Sequence, residues 1–246
     1  MQLLSHSIAV WRVGLGAGVG LSAETVAAWR LLLSDEELRR ADGFHREEHR
    51  LDYVTAHAAL RVVLGRYLGI APRAVQFAKS GKAGAKPELA AGPRFNLSHT
   101  AGYALIAVSP DLELGIDVEW QRPMDDLEAM ARSVMSDEEF ATWSTLYVDD
   151  RAMAFYHLWT RKEAYLKAIG LGLYRNLQDV TVPVSAARLD PGCELCVVTD
   201  KAGSDLWRLR DVPVPEDYSA SVCWEGAAAP EITVRDLLRN EAEWLA

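Results

Sequence analysis

The sequence predicts an α+β fold built from two similar halves in one chain, an internal duplication packed as a pseudo-dimer, and three recurrences predict it. Ser34-Asp35-Glu36-Glu37 returns as Ser136-Asp137-Glu138-Glu139, 102 residues later. A helical pattern follows each: Tyr53 to Gly65, then Phe155 to Gly170, with Gly65 and Gly170 set 105 residues apart. A strand pattern comes next in each half, Gly102 to Val108 and Asp217 to Cys223, with Tyr103 and Tyr218 at a spacing of 115. Three similar segments in one order outweigh the coincidence of common motifs.

The elements follow in chain order. Each S-x-x-E is a capping box, in which the serine and glutamate satisfy amides left free at a helix start. Residues 79–94, KSGKAGAKPELAAGPR, form the loosest stretch, a Gly, Ala, Pro and Lys loop. Phe95 to His99 leads into the first closing strand, and Gly115-Ile116-Asp117-Val118-Glu119 reads as another strand. The division between subdomains is expected here, giving 1–118 and 119–246. Cys193 and Cys196 form a C-x-x-C with no second pair; the strand-like flanks make them reduced structural thiols. Ile232 to Leu245 reads as a short closing helix.

Half of the 246 residues are hydrophobic, enough for one large or two small cores. A net charge of −9 argues against nucleic acid as a partner, so an anionic ligand needs a local basic cluster. No apolar run is long enough for a membrane span. The opening MQLLSHSIAV lacks a basic region followed by an apolar core. The expectation is a cytoplasmic protein without membrane contact.

Chemistry concentrates on the second long helix and the strand before it. Asp117 and Glu119 are two apart, so both project to one face of a strand. Paired carboxylates repel unless protons or a cation lie between them, and hard oxygens suit Mg2+. A solvated strand face is the alternative. On the helix, Trp159, Lys162, Glu163 and Lys167 fall at i, i+3, i+4 and i+8, compatible with one face. An exposed Glu163–Lys167 ion pair is the alternative, but Phe155, Tyr156, Leu158 and Trp159 should bury this helix in a cleft. Asn96, Ser98 and His99 offer hydrogen bonds at a strand end. Adjacent Ser98 and His99 are poorly disposed as nucleophile and base, and no G-x-S-x-G elbow exists, so phosphate binding is preferred. Lys79, Lys82 and Lys86 surround Gly81 and Gly84, with Pro87 at the exit. Lysines on a flexible loop suit phosphate as point charges, and no P-loop or G-x-G-x-x-G is present. Arg39, Arg40, Arg46 and Arg50 alternate with glutamates as on a solvated helix face.

Together, Ala85 to His99 (A-K-P…F-N-L-S-H), Gly115 to Glu119 (G-I-D-V-E) and Trp159 to Lys167 (W-T-R-K-E-A-Y-L-K) resemble the 4′-phosphopantetheinyl transferase superfamily, in its Sfp-type branch of two similar halves. The resemblance spans nearly the whole chain. It implies transfer of the 4′-phosphopantetheine arm of coenzyme A to a serine of an apo acyl or peptidyl carrier protein, releasing adenosine 3′,5′-bisphosphate. Asp117, Glu119 and Glu163 would bind Mg2+. Glu163 would act as base, directly or through water; Lys167 would stabilise or protonate the departing phosphate. Lys162 would hold the phosphates or orient Glu163. Lys86, Ser98 and His99 would hold the adenosine 3′-phosphate end, with Pro87 and Trp159 beside the cofactor. Two departures stand out. The family's Gly-Lys-Pro is Ala85-Lys86-Pro87, and a frequent lysine is Glu37, so Arg40 or Arg50 takes over its phosphate contact. Because carriers are acidic too, docking should be mostly apolar, through Met124, Met130, Met135 and Phe140 with Arg122 and Arg132, unless these methionines are core. A monomer is expected. Fatty-acid, polyketide and nonribosomal peptide carriers are all candidates. A non-catalytic coenzyme A or carrier-binding module and a metal-dependent phosphohydrolase are the competing readings.

Overall fold

A computed structural model describes residues 4–15, 22–78, 87–170, 176–187, 196–200 and 206–237. The first half runs β1 (Ser7–Gly14), α1 (Ala23–Arg30), α2 (Asp35–Asp42), α3 (Glu47–Leu68), β2 (Arg94–Thr100) and β3 (Tyr103–Ser109). The second runs β4 (Leu114–Trp120), α4 (Leu127–Val134), α5 (Asp137–Ser144) and α6 (Val148–Ala168). It continues through the short β5 (Val180–Thr181), β6 (Cys196–Val197) and β7 (Thr199–Asp200) to β8 (Trp207–Asp211), β9 (Tyr218–Glu225) and β10 (Glu231–Asp236). None of the described helices is long and apolar enough to cross a membrane.

Two four-stranded sheets carry the fold, ordered β10-β1-β3-β2 and β4-β9-β8-β6. The run β1-β3-β2 and the run β4-β9-β8 have the same order and the same antiparallel pairing. Helices cover the outer face of each sheet. Trp11, Val13 and Ile106 face α3, whereas Ile8, Val10 and Leu105 point inward against Ile116, Val118 and Val222 of the other sheet. Period-two alternation thus feeds two different cores from one strand.

Both capping boxes form, and each glutamate has a second partner. Glu37 takes the Arg61 guanidinium at 2.7 Å, and Glu139 takes the Lys162 ammonium at 2.5 Å. Arg61 also donates to the carbonyl of Pro72, and Lys162 to that of Leu177, so each buried cation gathers its helix, its capping box and the turn that follows. Burial works against the Glu37 charge. Hydrogen bonds from His57 and Ser34 and the Arg61 guanidinium still bring its pKa down to about 2.

Three expectations change. Gly69 and Gly170 end the two long helices in the left-handed region, φ 68° and 69°, which glycine tolerates best. The correspondence is therefore Gly69 with Gly170, not Gly65, whose place is inside α3. Residues 231–236 are a strand rather than the start of a helix, because they pair in parallel with β1, Ile232 opposite Ile8. Residues 238–246 lie outside the described residues. The division at 118/119 falls inside β4, which pairs along its length with β9, while β10 returns to the first sheet.

Candidate active site

The site begins with a missing side chain. A β-carbon on Gly115 would overlap the Ala164 carbonyl oxygen and the Ala168 amide of α6. Glycine there lets the helix backbone lie directly on β4. Leu114, Ile116 and Val118 point away into the core between the sheets, so Gly115, Asp117 and Glu119 share the face toward α6. Lys167 then reaches Asp117 Oδ1 with its Nζ at 2.5 Å.

A second strand closes the other side. Asn96, Ser98 and Thr100, spaced at two along β2, accept hydrogen bonds from the backbone amides of Ile116, Val118 and Trp120 at 2.8, 3.3 and 3.4 Å. Side chains, not a backbone ladder, stitch the first sheet to the free edge of β4. Ser98 Oγ also donates to Asp117 Oδ1 at 2.8 Å and accepts from Lys167 Nζ at 2.9 Å.

The electrostatics are those of crowded carboxylates. Burial, then the Asp117 charge, raises the pKa of Glu119 to about 7, with Lys167 and a hydrogen bond from Trp159 opposing. Burial, then Asp117, also raises that of Glu163, again opposed by Lys167. Asp117 Oδ2 and Glu163 Oε1 are buried and have no hydrogen-bond partner. Buried carboxylate oxygens without a donor are costly unless something positive comes to them. Among the described residues no three acidic, His or Cys side chains stand assembled as a metal cage. The donor set nonetheless fits a hard divalent cation: three carboxylates, two with an oxygen open, and a raised proton affinity that a cation would relieve.

Glu119 also opens onto a cleft of about 710 Å³. Met124, Met130, Phe155, Tyr156, Trp159 and Arg122 line it. His99, next along β2 to the Thr100 that lines this cleft, has an exposed side chain. Crowding by protein atoms, then the charges of His57, Lys167 and Arg40, holds its pKa down. His57 stacks on Tyr53, ring centroids 4.0 Å apart, and Arg40 lies over the same ring at 5.6 Å. A group of cations with one low-pKa imidazole is a receptive place for phosphate.

The other expected residues divide. Lys162 leaves the site: fully buried, it bonds Glu139, the Val134 carbonyl and the Leu177 carbonyl, so it neither meets phosphate nor orients Glu163. Burial lowers its pKa, with Glu139 opposing. Pro87 stands with Arg94 and Phe95 at the start of β2, the end away from His99. Arg50 pairs with Glu47 at 4.0 Å, one turn away on α3. Lys79, Lys82, Lys86 and Cys193 lie outside the described residues. Cys223 is a free, buried thiol, its pKa raised by burial. Of the docking candidates, Met124, Met130 and Arg122 line the cleft; Met135 is core, and Phe140 is half-buried beneath Arg132 at 4.1 Å.

Sequence reasoning missed His57 and the seam made by Asn96 and Thr100. The period-two N-x-S-x-T was the available signal for the seam; nothing marked His57. Taking Tyr103 with Tyr218 and Arg61 with Lys162, the positions of Asp117, Glu119 and Glu163 correspond in the first half to Trp11, Val13 and Val62, all core.

The sequence is similar to known proteins. A family model described as the 4′-phosphopantetheinyl transferase superfamily matches residues 113–223, from β4 into β9. The chain is 34% identical over 196 residues to 4′-phosphopantetheinyl transferase HetI of Nostoc sp., covering 77% of this chain and 80% of that one. It is 35% identical over 137 residues to 4′-phosphopantetheinyl transferase AcpT of Salmonella typhimurium, covering 53% and 69%. With a 4′-phosphopantetheinyl transferase of Bacillus subtilis the identity is 26% over 201 residues, covering 81% and 84%.

Proposed function

This chain belongs to the 4′-phosphopantetheinyl transferase superfamily and has that activity toward carrier proteins, and from that premise we propose the donor, the metal and the residue roles. Coenzyme A is the donor, the serine hydroxyl of an apo acyl or peptidyl carrier protein the acceptor, and adenosine 3′,5′-bisphosphate the product. The observation that carries this reading is the meeting of Asp117, Glu119, Glu163 and Lys167 where α6 lies on β4, with two buried carboxylate oxygens open.

Asp117, Glu119 and Glu163 would hold Mg2+, which supplies positive charge against the pyrophosphate when bound. The serine oxygen attacks the β-phosphorus, and the bond from that phosphorus to the bridging oxygen breaks. Glu163 takes the serine proton, directly or through water. Lys167 meets the charge developing on the departing bisphosphate. Positioning and charge neutralisation supply most of such a barrier reduction. Arg40, His57, His99 and Lys86 receive the nucleotide phosphates on the first half. The pantetheine arm and the carrier occupy the cleft edged by Met124, Met130, Phe155 and Trp159 on the second. The charges of His57 and Arg40 acting on His99, and the Met124, Met130, Phe155 and Trp159 lining of the cleft, support this division.

The two halves arose by duplication of one β-α-α-α-β-β unit. The repeated strand order, the paired capping boxes with their buried cations and the two glycine helix ends support it. The apolar counterparts of the acidic residues leave one site per chain, so a cytoplasmic monomer suffices, without membrane or nucleic acid.

Intact-mass spectrometry tests the reading: an apo carrier is incubated with the protein, coenzyme A and Mg2+, with EDTA as control. A phosphopantetheine mass gain that EDTA abolishes is expected. A gain indifferent to EDTA overturns the metal assignment. No gain across acyl and peptidyl carriers, with coenzyme A intact, points to a binding module; coenzyme A cleaved without a carrier points to a hydrolase.

A further inference from the structure

We propose that Tyr156 is a positioning residue for the carrier protein, its hydroxyl fixing the loop of residues 121–126 as the carrier-facing wall of the cleft. The inference rests on the reading above that a carrier docks at this cleft. Tyr156 lies on α6 and is 6% exposed. Its hydroxyl accepts from the Arg122 amide at 3.1 Å and donates to the Arg122 carbonyl at 3.0 Å. One side-chain oxygen thus holds both backbone groups of one loop residue, as a paired strand would hold them. Pro123 follows; its ring sets its own φ and restricts Arg122 to extended backbone, so the pinned residue has few alternatives. The loop is tied where it starts, by the Gln121 amide on the Asp217 carbonyl at 2.8 Å and by the Gln121 side chain on Ser219 Oγ at 2.9 Å. Asp126 ties it where it ends, as the cap of α4. Between those ends Tyr156 holds it by hydrogen bonds, and Met124 by packing against the second-half core.

What the loop carries is exposed. Arg122, Pro123, Asp125 and Asp126 are all exposed and line the cleft, together with Met130 of α4, 42% exposed. Arginine and methionine are enriched where proteins meet. Asp117 and Glu119 stand on β4 and Glu163 on α6, so none of the three belongs to the loop. Loosening the loop therefore leaves the reacting groups in place and blurs the surface that a macromolecule meets. Tyr156 acts on carrier recognition through the backbone of Arg122, without touching the carrier's serine or the phosphates.

The test uses the full chain with coenzyme A, Mg2+ and an apo carrier. Tyr156→Phe keeps the ring and removes the hydroxyl. Its KM for the carrier should rise about 5- to 10-fold, the scale of a lost hydrogen bond, while kcat and the KM for coenzyme A stay within about 2-fold. Hydrogen exchange at the Arg122 amide should quicken in the same variant. Pro123→Gly frees the same segment without touching the hydroxyl. It should raise the carrier KM in the same way, and it serves if Tyr156→Phe does not fold. Tyr67→Phe removes a hydroxyl that accepts from Trp11 Nε1 at 3.1 Å beside the first-half core, and should leave kcat and both KM values unchanged. A carrier KM unchanged in Tyr156→Phe and Pro123→Gly overturns the inference. A coenzyme A KM that rises as much as the carrier's also overturns it, because the loop would then be a wall for the pantetheine arm. A fall in kcat alone overturns it by placing Tyr156 among the reacting groups. If the unaltered chain modifies no carrier, the docking reading itself fails, and the inference with it.

Discussion

Replacing Gly115 by alanine should separate the placement of the catalytic helix from its mere stability. The added β-carbon would overlap the Ala164 carbonyl oxygen and the Ala168 amide and lie 2.9 Å from the Lys167 carbonyl carbon. These are backbone atoms, so no rotamer change relieves them. Ordinary contact begins near 3.4 Å, so α6 must retreat by about 1 Å. Overpacking of this kind costs about 1–3 kcal/mol. A domain with about 5–15 kcal/mol in hand remains almost wholly folded after that loss. The Lys167–Asp117 contact, now 2.5 Å, would stretch to about 3.5 Å, where a hydrogen bond is nearly spent. Glu163 moves with the same turn. Misplacement of about 1 Å reduces turnover by roughly 10²-fold. The assay is the carrier-modification rate well below the variant's measured Tm, so that unfolding contributes nothing. A variant that melts lower yet keeps the full kcat would refute the claim that close approach sets the geometry.

Lys162→Met should do the reverse, keeping kcat in the folded fraction while costing about 3–5 kcal/mol, because Glu139 is left as a buried uncompensated charge. Activity lost at unchanged Tm would return Lys162 to the site. Glu163→Gln should abolish transfer yet raise the metal-free Tm, since a neutral amide removes repulsion from Asp117; near-normal turnover would remove Glu163 from the mechanism. Metal-free stability should respond to pH through Glu119, whose folded pKa of about 7 lies above its ordinary 4.5. The folded state binds the proton more tightly, so this contribution is fully present below pH 4.5 and is lost as pH rises through 7. The Tm gain on adding Mg2+ should grow over the same window, and Glu119→Gln should flatten both; a Mg2+ increment independent of pH would contradict this assignment.

Much of this was legible because it follows short-range periodicity. Asp117 and Glu119 share a face by the period of a strand, and the two capping boxes announce their helices by local spacing. What stayed hidden depends on partners distant in sequence. Lys162 reads as a site residue on the face of Glu163 and Lys167 because spacing alone does not reveal Glu139, 23 residues earlier, beneath it. The bridge from Ser98 to Asp117 and Lys167 likewise joins residues 19 and 69 positions apart. Residues 232–236 have helical spacing, yet β1 offers a row of open backbone groups, and that pairing overrides local preference. The Gly65 register failed for a related reason: the glycine that ends α3 is identified by backbone angle, not by the helix pattern before it.

The pairing of β1 with β10 also sets an order of events in the cell. Arg12 grips Asp236 across 224 residues of chain, and Ile8 lies beside Ile232. Synthesis at about 5–20 residues per second separates those partners by roughly 11–45 seconds. Throughout that interval one edge of an apolar strand, Ile8 to Val13, has nothing to pair with, and open strand edges recruit other chains. The strand made last shields the hazard created first. A chain cut short before residue 231 would keep that edge bare however well its helices pack, and should gather into aggregates through β1.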